Sequence, residues 1–155
     1  MAGKRRIGAV LLALAACSSP GVPPSPWPAD AVRDLLESDP AARTALFGTT
    51  GGPVYCGVDV LGGSADGRYA YVWADCVTFV RRDGVVEPVT GVSAPVRVDT
   101  TARTVELPGD GAAYAVGVRR LFPPELVDRL FQQDVTVDGT RAELLDRAVA
   151  DLGRG

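Results

Sequence analysis

Val54-Tyr55-Cys56-Gly57-Val58-Asp59-Val60-Leu61 and Tyr69-Ala70-Tyr71-Val72-Trp73-Ala74-Asp75-Cys76-Val77-Thr78-Phe79-Val80 flank Gly62-Gly63-Ser64-Ala65-Asp66-Gly67-Arg68. Both outer segments are rich in β-branched and aromatic residues, and the middle one is turn chemistry, so the stretch reads as a β-hairpin. A three-residue loop over Ala65, Asp66 and Gly67, with Gly67 in the left-handed position of a bulge, pairs Ser64 with Arg68. In that register Cys56 lies directly opposite Cys76. Opposed Cα atoms are about 4.5 to 5.5 Å apart, a span a disulfide bridges. Two free thiols or a soft-metal site are the alternatives for this pair, and the chain has no His and no Cys-x-x-Cys spacing to favour a metal.

The same register sorts side chains onto two faces. Val54, Cys56, Val58 and Val60 fall with Val72, Ala74, Cys76, Thr78 and Val80, while Tyr55, Asp59 and Leu61 fall with Tyr71, Trp73, Asp75, Val77 and Phe79. The second face carries the candidate ligand residues. In an open groove Tyr71 and Trp73 would stack on a sugar or cationic group while Asp59 and Asp75 accept its hydrogen bonds. The competing expectation is that the rings are core beneath the terminal helices and each aspartate takes an arginine, such as Arg68 or Arg81. A carboxylate pair at the right separation could also cleave glycosides, which makes a hydrolase using Asp59 and Asp75 the enzymatic alternative.

Working outward, the spacing predicts further strands over 85–89, 93–99 and 104–107, with turns at Gly62-Gly63, Asp66-Gly67, Asp83-Gly84 and Thr100-Thr101. On the N-terminal side Asp30 is positioned to cap a helix burying Val32, Leu35 and Leu36, and Asp39-Pro40 opens a second helix that stops at Gly48. On the C-terminal side Tyr114, Val118 and Leu121 form a helical turn, and Pro124 starts a helix with Leu126, Val127, Leu130 and Phe131 along one side. Thr140-Arg141-Ala142-Glu143 is a capping box for a last helix burying Leu144, Leu145, Ala148, Val149 and Leu152. Glu125/Arg129 and Glu143/Arg147 are spaced as solvated pairs. The class is therefore α+β, an antiparallel meander of about five strands with flanking N- and C-terminal helices. Asp134, Thr136 and Asp138 imitate the start of a calcium loop, but its twelfth position is Leu145 where a bidentate acid is needed. No metal and no cofactor are expected.

Lys4, Arg5 and Arg6 precede the apolar run Ile7 to Leu14, and Leu14-Ala15-Ala16-Cys17 follows. This is the order of a secretory leader, and its last four residues match a bacterial lipobox in which Cys17 is lipidated and becomes the new amino terminus. The apolar run to Ala16 is about half of the roughly 20 residues that span a bilayer. The expected organisation is a signal peptide over 1–16, a Pro-rich tether over 17–28 and one domain over 29–153. Tethering would place the domain on the extracytoplasmic face of the cell membrane. An exported chain also meets the oxidising conditions in which a disulfide persists.

Of 16 basic residues three lie in the leader, so the processed chain sets 13 arginines against 19 acids, a formal net charge of −6. Such a surface repels phosphate backbones, and nucleic acid is not an expected partner. The only Lys is Lys4, and there is no His. Nucleophiles activated by His, Schiff bases and phosphate-loop lysines are thereby excluded.

Tyr71-Val72-Trp73-Ala74, then Ser93-Ala94-Pro95, then Pro108-Gly109-Asp110-Gly111-Ala112-Ala113-Tyr114 and Phe122-Pro123 follow one another over residues 54–123. The series resembles an uncharacterised family of small exported lipoproteins of high-G+C Gram-positive bacteria, with a pattern Y-V-W-A, S-x-P, P-x-D-G-x-x-Y, F-P. The resemblance implies a compact α+β domain at the cell surface and supplies no activity. The function expected from all these features is a non-enzymatic, lipid-anchored domain that binds an envelope protein or glycan.

Overall fold

The computed structural model describes residues 21–48, 52–132 and 141–154. The leader, Cys17, the first residues of the tether, the Asp134 to Asp138 loop and the Thr140 cap lie outside them. Helices α1 (Ala29–Ser38) and α2 (Pro40–Phe47) precede strands β1 (Val54–Gly63), β2 (Tyr69–Arg82), β3 (Val85–Asp99) and β4 (Thr104–Glu106). A 3-10 turn (Gly111–Ala113) then leads into α3 (Tyr114–Leu121), α4 (Pro124–Gln132) and α5 (Arg141–Leu152). The strands form one antiparallel sheet in the order β1-β2-β3-β4, so the fold is the expected α+β meander flanked by helices.

The sheet has four described strands rather than about five, because residues 85–89 and 93–99 belong to a single 15-residue β3. Pro88 and Gly91 resemble strand breaks in sequence. Pro88 instead sits at the irregularity between Thr78 and Phe79 of β2, on a stretch of β3 that β4 does not reach, and bulges and edges are where a strand tolerates proline.

Cys56 does face Cys76, with Cα atoms 4.1 Å apart and the disulfide formed. The path to that pairing differs from the expected one. Ser64 N–H donates to Tyr69 O rather than pairing with Arg68, which shifts the turn end by one residue. A bulge between Val60 and Gly62 shifts the register back, so both ends of the hairpin place the expected residues on the expected faces.

Gly62 and Gly63, expected as a turn, lie in β1. Their lack of side chains lets residues 22–25 rest on the strand: a Cβ at Gly62 would fall 2.3 Å from Val22 Cγ1, and one at Gly63 2.7 Å from Pro24 O. Gly63 N–H donates to Pro23 O at 2.7 Å. Residues 21–28, expected as part of a free spacer, thus pack on the domain, with Val22 and Trp27 against apolar clusters.

One face of the sheet packs on α1 and α2. Val32, Leu35, Leu36, Ala42 and Leu46 meet Val54, Cys56, Val58, Val72, Ala74, Cys76, Val96 and Val98, nearly all without solvent contact. Burying a side chain of this size stabilises by about 1.5 to 3 kcal/mol, so this layer is the main core. Asp39 caps α2 as expected, its Oδ1 accepting from Ala41 and Ala42 N–H at 2.9 Å each. Asp30 does not cap α1. The helix begins two residues earlier, at Ala29 behind Pro28, and Asp30 sits in its first turn, paired with Arg33.

Candidate functional site

The candidate ligand face of Tyr71, Trp73, Asp59 and Asp75 is not open. Tyr71 and Trp73 are each 8% exposed, in a cluster with Leu61, Val118, Leu121, Phe122, Leu126 and Leu130. The physical reason lies in α3 and α4, whose apolar stripes need a partner and find it on these rings. Phe122 meets Tyr71 with ring centroids 5.6 Å apart, and burial raises the Tyr71 hydroxyl above its ordinary pKa. Trp73 Nε1 donates to Ser93 Oγ at 3.1 Å, which satisfies its one polar atom inside the layer.

Further along the same face Tyr55, Val77 and Phe79 form a second cluster under Leu144 and Ala148 of α5. Val149, expected inside, is 47% exposed, because α5 touches the sheet along a narrow line. Asp59 and Asp75 answer to arginines of different helices, Asp59 to Arg129 of α4 at 3.7 Å and Asp75 to Arg141 of α5 at 3.3 Å. Arg68 is bound to Asp99, and Arg81 donates to Leu152 O. Gly91 makes room for the Asp75 pair, since a Cβ there would sit 3.2 Å from both terminal nitrogens of Arg141.

A different concavity remains, at the edge of β3. Strand β4 pairs only with Arg97, Val98 and Asp99, so among the described residues the stretch of β3 from 85 to 94 has no strand on its outer side. A cleft of about 440 Å³ follows this edge, floored by residues 91–94 and walled by Leu46 of α2 and by Leu107 and Pro108. Its polar groups are Ser93, Asp110 and Tyr114. Burial raises the Tyr114 hydroxyl above its ordinary pKa. The arrangement offers a sheet edge with no strand neighbour among the described residues, an apolar wall and a few hydrogen-bonding groups, the chemistry of strand addition.

The ligand reading of the sequence passed over this cleft, although it contained a signal. Ser93 of the S-x-P element and Pro108, Asp110 and Tyr114 of the P-x-D-G-x-x-Y element line it together, and Trp73 of Y-V-W-A supports it through Ser93. Among the described residues no group of three or more His, Cys, Asp or Glu could hold a metal ion, and no helix is long and apolar enough to cross a membrane. No family model, curated protein or solved structure matches the chain.

Proposed function

We propose that this protein is a lipid-anchored, extracytoplasmic binding domain, held to the membrane through Cys17, whose ligand is an extended polypeptide of the cell envelope lying in the cleft along β3. The anchoring rests on the leader from Lys4 to Cys17, and the disulfide between Cys56 and Cys76 suits the oxidising compartment to which such a leader directs a chain. The observation that carries the binding mode is the β3 edge at residues 91–94, backed by Ser93, Asp110 and Tyr114. Main-chain hydrogen bonds along such an edge supply affinity, and the cleft supplies selectivity for a side chain. The hydrolase alternative loses its support because Asp59 and Asp75 are engaged by two separate arginines on a helix-covered face.

A photo-crosslinking residue at Ala94, with the same residue at exposed Ala150 of α5 as control, tests the binding mode in intact cells. A discrete protein adduct at Ala94, competed away by the synthetic peptide recovered from it, supports the reading. Equal labelling at both positions, or no polypeptide adduct, contradicts it.

A further inference from the structure

The described chain enters the domain at one end of the sheet. Gly21, Val22 and Pro23 share a recess with Ser64 and Ala65 of the β1–β2 turn and with Pro123. The β3–β4 turn adjoins it, because Thr100 N–H and its hydroxyl both donate to Arg68 O, at 2.9 and 2.8 Å, and Arg68 pairs with Asp99. Trp27 lies in the same region, with the Arg103 guanidinium 5.4 Å from its ring centre. From Cys17 to Val22 is five residue steps, which reach at most about 18 Å even when fully extended. Strand β2, of 14 residues, runs from this end to the Asp83-Gly84 turn, roughly 40 Å away at about 3.3 Å per residue.

We infer that this turn end of the sheet rests against the phospholipid surface and that the Asp83-Gly84 end points away from it. The inference rests on the lipid anchor at Cys17 proposed above and specifies how the anchored domain stands. A tether much shorter than the domain, fastened at one end of it, confines that end to the headgroup layer. The groups there are cationic side chains at the surface: Arg103 is exposed, and Arg68, paired with Asp99 and 54% exposed, and Arg97, paired with Glu106, lie 5.1 and 4.6 Å from the Tyr69 ring centre. Arginine donates in pairs to phosphate oxygens while its stem lies on apolar surface, as side chains at a membrane boundary do. In this orientation residues 85–92 of β3 stand on the far half of the domain, opposite Cys76 to Arg82 of β2, and the cleft at residues 91–94 lies near mid-height of the sheet.

The test uses full-length protein recovered from the membrane fraction, with the mass of its N-terminal peptide measured first. Ala65→Cys, Ala102→Cys and Asp83→Cys, each at an exposed site, are labelled with a fluorophore and reconstituted in phosphatidylglycerol-containing vesicles whose headgroups carry a nitroxide quencher. The disulfide sulfurs are buried and do not compete for label. Several-fold stronger quenching at positions 65 and 102 than at 83 is the expected result. Equal quenching at all three on a lipid-bearing chain overturns the orientation and leaves the anchor standing. An N-terminal peptide without lipid overturns both, and the mass shows it before any vesicle is made.

Discussion

Glu37 belongs to the first helix, yet its carboxylate closes the outer edge of the sheet at the disulfide. Oε1 accepts from Cys56 N–H at 2.6 Å, and both oxygens accept from Arg147 Nη2 at 2.9 Å, while Arg147 Nη1 donates to Cys56 O at 3.3 Å. Two side chains from opposite ends of the chain thus complete the hydrogen bonding of one edge residue. Glu37→Ala leaves the Cys56 amide and the Arg147 guanidinium without this acceptor, and denaturant unfolding should show a loss of about 1 to 3 kcal/mol. A loss below a few tenths would contradict that role. Asp99 acts comparably at the other end of the sheet. Its carboxyl is held below the ordinary carboxylate range, first by the Ala102 N–H and then by Arg68, with Thr101 N–H a further donor. A depressed pKa contributes stability that is complete above the unfolded value of about 3.9 and is lost as pH falls through the folded one. Stability measured from pH 5 downward should therefore fall less steeply in Asp99→Asn than in the parent, and an unchanged slope would contradict the assignment.

The elements legible in the sequence are those with local rules. The Asp39-Pro40 start of α2 and the Asp83-Gly84 hairpin with both residues at positive φ follow from turn and cap chemistry within a few residues, whereas the pairing of Cys56 with Cys76, though expected, is reached through a bulge at Val60–Gly62. The misjudged elements depend on distant partners. Gly62 and Gly63 mimic a turn because their real reason, the docking of residues 22–25, lies about 40 positions earlier. Arg147, for which the sequence offers only the local spacing to Glu143, reaches Glu37, 110 positions away. Replacing both Cys56 and Cys76 with Ala removes a cross-link of 20 residues and should lower stability by roughly 3 kcal/mol, read as a fall in the denaturant midpoint. Gly63→Val should expel the docked N-terminal segment while sparing the sheet. Faster hydrogen exchange at residue 63 and new proteolytic cleavage within 21–28 would show it, whereas native protection at both would refute it.

For the whole molecule, a run of strands between helices with apolar stripes was sufficient to indicate a sheet covered by helices. The site was harder to find, because a two-sided apolar sheet looks the same in sequence whether its second face binds a ligand or a helix. Tyr71 and Trp73 went to α3 and α4, and the cleft proposed for binding lies where β4 ends early and leaves part of β3 without a strand neighbour among the described residues. Such an edge is a property of strand lengths, which composition does not reveal. The proposed anchor, in contrast, rests on consecutive residues, Lys4 to Cys17, and can be tested without knowing any ligand. Intact mass of the protein from the membrane fraction, before and after reduction, is the most direct measurement. The expected result is a chain beginning at a lipid-bearing Cys17 that gains two hydrogens on reduction of Cys56–Cys76. A full-length chain beginning at Met1, unmodified and with free thiols, would contradict it.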